Sequence, residues 1–158
     1  ASGKHMLQHA AAYEINHLGR ILLEDCKEPL HFKYMPHAVF TEPEIASVGI
    51  TEQKAKEQNI EYVTTTTNWI ASAKAMSTRL NYPITKSIIN PKNYEILGCH
   101  MIGPESSTMM HQVWAVMHIN NDVRHLKEML YIHPALSEAL LPASVEAVRE
   151  VEKYNKNL

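Results

Sequence analysis

The feature that most constrains this chain is a pair of apolar, partly alternating runs, residues 84–89 and 94–102, separated only by Asn90-Pro91-Lys92-Asn93. Proline presets φ and asparagine tolerates a left-handed conformation, so the four intervening residues have the chemistry of a tight reversal. Two strands joined in this way are antiparallel neighbours. The rest of the chain must then supply further strands beside them and an apolar layer to cover them.

That layer is written at helical spacing. Residues 106–120 repeat Met109, Val113, Val116 and Met117, a shorter helix is expected over 123–129, and a last one over 136–151, with Pro142 expected to break or kink it. Upstream, residues 6–25 place Leu7, Ala11, Ile15, Leu18 and Leu22 on one helix face, with Gly19 as a weak point inside it. Residues 27–33, which include Pro29, interrupt the pattern and mark a boundary between two units. Residues 37–41 and 60–69 are rich in β-branched and aromatic side chains and read as strands. Thr51 can cap a short surface helix running through Gln58. The order is a helix, then strands with one short helix between them, then a group of helices. It predicts an α+β fold, an antiparallel sheet with helices packed on one face. Lys153 to Lys156 read as a solvated end that frays.

A chain of 158 residues, 45% hydrophobic, is long enough to bury one core. Fifteen basic against 17 acidic residues give a net charge of −2, which offers no footprint for nucleic acid. No apolar run approaches the roughly 20 residues that cross a bilayer, and no secretory signal is evident, so no membrane partner and a cytoplasmic location are expected. The two cysteines, Cys26 and Cys99, are too far apart in sequence to form a redox CxxC pair and read as free thiols. Ten histidines invite a metal site, and His111, His118 and His125 recur every seven residues. Metal ligands on one helix are more often four apart, and Asn120-Asn121-Asp122 ends the helix before His125, so no metal is expected. The methionines at 101, 109, 110 and 117 read as core or interface filler.

The stretch with the most chemistry in it is Tyr131-Ile132-His133-Pro134-Ala135-Leu136-Ser137-Glu138. A histidine can move protons near neutral pH if one ring nitrogen is held by an acceptor so that the other faces the reacting group. Glu138 is a candidate acceptor. Pro134 restricts the backbone of His133 and can start the helix that carries Glu138. Taken alone, the same arrangement is also that of an ordinary helix start.

Four segments, in order, carry a resemblance. Gly3 to Ala11 is similar to the G-x-x-M-L-A-H-x-A helix start that closes the flavin domain of FAD-dependent pyridine-nucleotide disulfide oxidoreductases. Thr41-Glu42-Pro43-Glu44-Ile45-Ala46-Ser47-Val48-Gly49 resembles the family's T-x-P-E-x-A-x-V-G segment, residues 96–104 its I-L-G-x-x-x-x-G-P strand, and residues 133–138 its HPTxSE motif. Two positions depart from the pattern: Ala135 stands for the usual Thr, and Thr108 for an acidic residue. The Leu136-Ser137-Glu138 ending is closer to the dihydrolipoamide dehydrogenase group than to glutathione reductases. Mercuric reductases lack the His-Glu pair.

The resemblance implies a dimerisation (interface) domain over 33–148, preceded over 1–26 by the terminal helix of the FAD domain and followed by a tail over 149–158. It implies a homodimer in which His133, oriented by Glu138, serves as acid and base toward the redox disulfide of the partner subunit, with a cis peptide before Pro134. FAD and NAD(P) would belong to the full-length enzyme, with Met6, Leu7 and His9 near the flavin. This chain has no GxGxxG turn after a strand and is expected to bind neither cofactor and to be inert by itself. The alternatives are a free-standing homodimeric interaction module without catalysis, or the same domain of a glutathione reductase-like or mercuric reductase-like enzyme.

Overall fold

The computed structural model describes Gly3 and residues 5–157, so Lys4 of the first motif lies outside the described residues. The chain divides into two compact units, residues 1–35 and 36–158.

The first unit is a single helix and the segment after it. Helix α1 spans Gln8–Glu24 and ends at Asp25, whose left-handed φ of 52° lets Cys26 N–H return to the Arg20 carbonyl. Gly19 does not interrupt it. The ring of Phe32 meets those of His5 and Tyr13, with centroids 5.1 and 5.6 Å apart. The helix is where the periodicity put it, but its expected core stripe is not buried. Ile15, Leu18 and Leu22 are exposed, and Ala10 is the buried residue of the helix.

In the second unit five strands form one antiparallel sheet: β1 His37–Val39, β2 Ile45–Gly49, β3 Val63–Asn68, β4 Ile84–Ile89 and β5 Ile96–Ile102, in the order β1-β2-β5-β4-β3. The β4–β5 hairpin lies where the sequence put it. The left-handed residue of its turn is Tyr94 (φ 64°) rather than an asparagine, and β5 begins at Ile96, with a register irregularity at Ile88/Ile89. Strand β2, read only as a motif, pairs along its whole length with β5. Here two glycines are required. A Cβ on Gly98 would lie 2.0 Å from the Ile50 carbonyl oxygen, and one on Gly49 would lie 2.2 Å from that of Leu97. The motif glycines therefore mark a close approach of two backbones.

Alternate side chains of β4 point to opposite faces. Thr85, Ser87 and Ile89, with Cys99 and Met101 of β5, face the helices α4 (Ser106–Ile119), α5 (Val123–Glu128) and α6 (Leu140–Lys156). Helix α4 packs on β2 and β5, and α6 on β3 and β4. The core is Met109, Met110, Val113, Met117, Leu126, Leu140, Ala147, Val148 and Val151 against the sheet, with Trp69 donating from Nε1 to Thr85 Oγ1 at 2.8 Å. The four methionines are buried filler, as read from the sequence. Lys86 points to the other face, where it meets Glu52 of α2 (Glu52–Glu57) at 2.6 Å. Helix α2 is capped as expected by Thr51, whose Oγ1 accepts from Lys54 N–H at 3.1 Å.

Three features of the C-terminal segment depart from expectation. A 3-10 turn, Leu136–Ala139, precedes α6, and Pro142 falls in the first turn of α6, where its missing N–H has no partner to lose, so the helix is not broken. The residues expected to form a fraying tail are helical through Lys156. Val151 is fully buried, Tyr154 donates to Glu61, and Asn155 Nδ2 donates to the Pro91 carbonyl at 3.0 Å.

Candidate functional site

His133 lies between α5 and the 3-10 turn, with a cis peptide bond to Pro134. Its Nδ1 is 2.7 Å from Glu138 Oε1. The other carboxylate oxygen, Oε2, accepts the backbone N–H of Ala135 at 2.9 Å. Glu138 thus bridges the ring it orients and the backbone two residues after that ring. Both bonds favour the charged carboxylate, the one to His133 first, and hold Glu138 below the ordinary carboxylate value. The carboxylate is mostly enclosed, with its side chain 19% exposed, whereas the imidazole is 69% exposed. With Nδ1 donating to a carboxylate, Nε2 is the nitrogen left to accept a proton from a group arriving from solvent.

The turn is also held from a distant part of the chain. Ser72, fully buried at the start of α3 (Ala73–Ser77), donates from Oγ to the Ala135 carbonyl at 3.0 Å. Sequence reasoning missed both Ser72 and α3. A five-residue helix offers no repeat to read, and the bond joins positions 63 residues apart. Tyr131, just before His133, donates its hydroxyl to the Leu126 carbonyl at 2.6 Å, and burial pushes its phenol up to about 12.

Of the remaining sequence-derived site residues, Met6, Leu7 and His9 stand in the first unit at the start of α1. Met6 is almost fully exposed, Leu7 half-buried and His9 exposed. Gly103-Pro104 leads from a strand into α4 and so places a glycine turn at a helix start. That start is taken by Glu44, whose carboxylate accepts from Ser107 N–H (2.8 Å) and Ser107 Oγ (3.1 Å). A carboxylate there satisfies the helix dipole and repels a phosphate, so these residues do not fit a dinucleotide. The same contact gives the Glu44 of the second motif a structural task.

Cys99 is buried and its thiol is pushed up to about 12 by desolvation, while Cys26 is half-buried; both are free thiols. His118 stacks on Trp114 at 4.9 Å, and Asn120 Nδ2 donates to His125 Nε2 at 2.6 Å. Among the described residues no group of three or more His, Cys, Asp or Glu is placed to hold a metal ion, and no helix is long and apolar enough to cross a membrane.

Residues 35–144 match the family described as pyridine nucleotide-disulphide oxidoreductase, dimerisation domain. A dihydrolipoyl dehydrogenase of Buchnera aphidicola is 30% identical over 142 residues, covering 88% of this chain and 29% of its own length. The chloroplastic dihydrolipoyl dehydrogenase 2 of Arabidopsis thaliana is 31% identical over 145 residues, covering 89% and 25%. The chain therefore spans less than a third of the length of these relatives. Among solved structures, LpdA of Mycobacterium tuberculosis superimposes with a TM-score of 0.82 at 20% identity, covering 91% of this chain and 31% of that one. The flavoprotein disulfide reductase RclA of Escherichia coli does so with a TM-score of 0.81 at 24% identity, covering 88% and 32%. These two likenesses give the fold. The family match covers most of the chain, and the chain belongs to the pyridine nucleotide-disulphide oxidoreductase dimerisation-domain family.

Proposed function

We propose that this chain is the dimerisation domain of a dihydrolipoamide dehydrogenase-like flavoenzyme, and that it lends His133 and Glu138 as an acid/base pair to the redox disulfide of a second subunit. One observation carries the reading: an exposed imidazole is held at Nδ1 by an enclosed carboxylate 2.7 Å away. A buried structural histidine would have both nitrogens satisfied and its ring in the core. Here Glu138 fixes the tautomer and leaves Nε2 outward, the arrangement needed by a base that takes a proton from a thiol and returns it. A dithiol attacks or donates charge only as thiolate, so proton removal is the step this pair serves.

The flavin and nicotinamide, where bound, supply electron transfer. Their binding elements and the cysteine pair belong to parts of the enzyme outside this chain. Helix α1 is then the last helix of the flavin domain, and the apolar side chains that it exposes are available to pack against the rest of that domain. By itself the chain is expected to form dimers and to be inert.

Sedimentation and absorbance of the purified 158-residue chain test this directly. The expected result is a colourless species of twice the monomer mass with no flavin-linked reductase activity. A yellow preparation with stoichiometric FAD, or a strict monomer at high concentration, would contradict it.

A further inference from the structure

The backbone that Glu138 grips belongs to Ala135, the residue just before the 3-10 turn. Ala135 stands at the cap position and has no side-chain oxygen to cap the turn. Both polar groups of Ala135 are nevertheless held. Its N–H goes to Glu138 Oε2 at 2.9 Å, and its carbonyl accepts from Ser72 Oγ at 3.0 Å and, at a longer 3.3 Å, from the N–H of Glu138. Ser72 is rigid for its own reasons. It is fully buried, it starts α3, and its Oγ accepts from Ala75 N–H at 3.3 Å. A hydroxyl has a single proton, and this one is spent on Ala135.

We propose that Ser72 is the positioning residue of the His133–Glu138 pair, setting the orientation of the imidazole through the Ala135 peptide. The inference rests on the reading of that pair given above and adds how its geometry is imposed. The sequence of bonds is continuous: Ser72 Oγ–H to the Ala135 carbonyl, Ala135 N–H to Glu138 Oε2, His133 Nδ1–H to Glu138 Oε1. The first bond fixes the peptide after Ala135, and through the Ala135 Cα it restricts the peptide before it, whose N–H meets Glu138. Without it the carbonyl keeps only its long bond to Glu138, and the two peptides that meet at Ala135 are freer to tilt. Glu138 then loses the fixed N–H that, with His133, keeps it ionised, and the ring loses a fixed acceptor.

The test uses the labelled 158-residue chain and NMR, following the Glu138 carboxyl carbon through an acid titration and the Nδ1 nitrogen of His133 at neutral pH. In Ser72→Ala the Glu138 midpoint is expected to rise by roughly half a pH unit. The Nδ1 signal is expected to move from that of a protonated nitrogen toward that of exchanging tautomers. Ser72→Cys, close in size with a weaker donor, should fall between the two, and it carries the test if Ser72→Ala does not fold. A folded Ser72→Ala or Ser72→Cys with both wild-type signals overturns the proposal. Glu138→Gln separates this from the reading beneath it. If that change alters the Nδ1 signal and the Ser72 changes do not, only the role of Ser72 fails. If even Glu138→Gln leaves Nδ1 unmoved, the pair itself is refuted.

Discussion

Helices α1 and α6 are each 17 residues long, and each has an apolar face at helical spacing, yet they are used in opposite ways. Helix α6 buries Leu140, Ala143, Ala147, Val148 and Val151 within its unit, while α1 buries only Ala10 and leaves Ile15, Leu22 and Leu23 more than 60% exposed. Periodicity records that a face was selected to be covered. It does not record by what. In α6 the cover is the sheet of the same unit. In α1 the apolar side chains remain open, which accords with the proposal that this helix belongs to a flavin domain.

The sharpest way to break this contrast is by truncation on each helix. Leu140→Ala, at a site 2% exposed, should cost about 2–5 kcal/mol in urea unfolding of the second unit, because a cavity is left beneath the sheet. Leu22→Ala, at a site 72% exposed, should change stability by no more than about 0.5 kcal/mol. Equal effects would show that α1 is packed much as α6 is. Nothing lies within 4 Å of a Cβ at Gly19, so Gly19→Ala should strengthen α1 by up to about 1 kcal/mol, read from amide exchange of that helix alone.

Acid sharpens the comparison from the other side, with a smaller effect. In the second unit Lys86, then Lys56 and Tyr62, hold Glu52 at about 2, against an ordinary value of 4.5. Glu61 beside Lys92, Asp122 beside Arg124 and Glu138 beside His133 are also held low. A carboxylate depressed in the folded state stabilises it fully above its unfolded value and ceases to do so as pH falls through the folded one. Stability of the second unit should therefore decline between pH 4.5 and about 2. A flat profile across that window would mean that these ion pairs are not formed in solution.

What could be read from the sequence follows the same division. The β4–β5 hairpin, α2 with its Thr51 cap, α4 and α5 were all legible, because each is set by neighbours a few residues away. The His133–Glu138 pair was legible for the same reason, five residues separating its members. Strand β2 was recognisable only as a motif. Its Ile45-Ala46-Ser47-Val48-Gly49 is short, its buried members include a small one, and its glycine is explained by a backbone some fifty positions on. The exposure of α1, the helical end of α6 and the bond from Ser72 to Ala135 were not legible, since each depends on what tertiary packing places opposite a residue. Glu44 is the intermediate case: its motif was visible, but its task of capping α4 was not.

The most direct measurement is dithiol oxidation by the enzyme completed with its flavin, nicotinamide and disulfide elements, compared with the same enzyme carrying His133→Gln. If the imidazole serves the partner's thiols, dihydrolipoamide turnover should fall by roughly a hundredfold to ten-thousandfold while the flavin stays bound and the dimer intact. Turnover within a factor of two of the parent, with the same pH profile, would contradict the account.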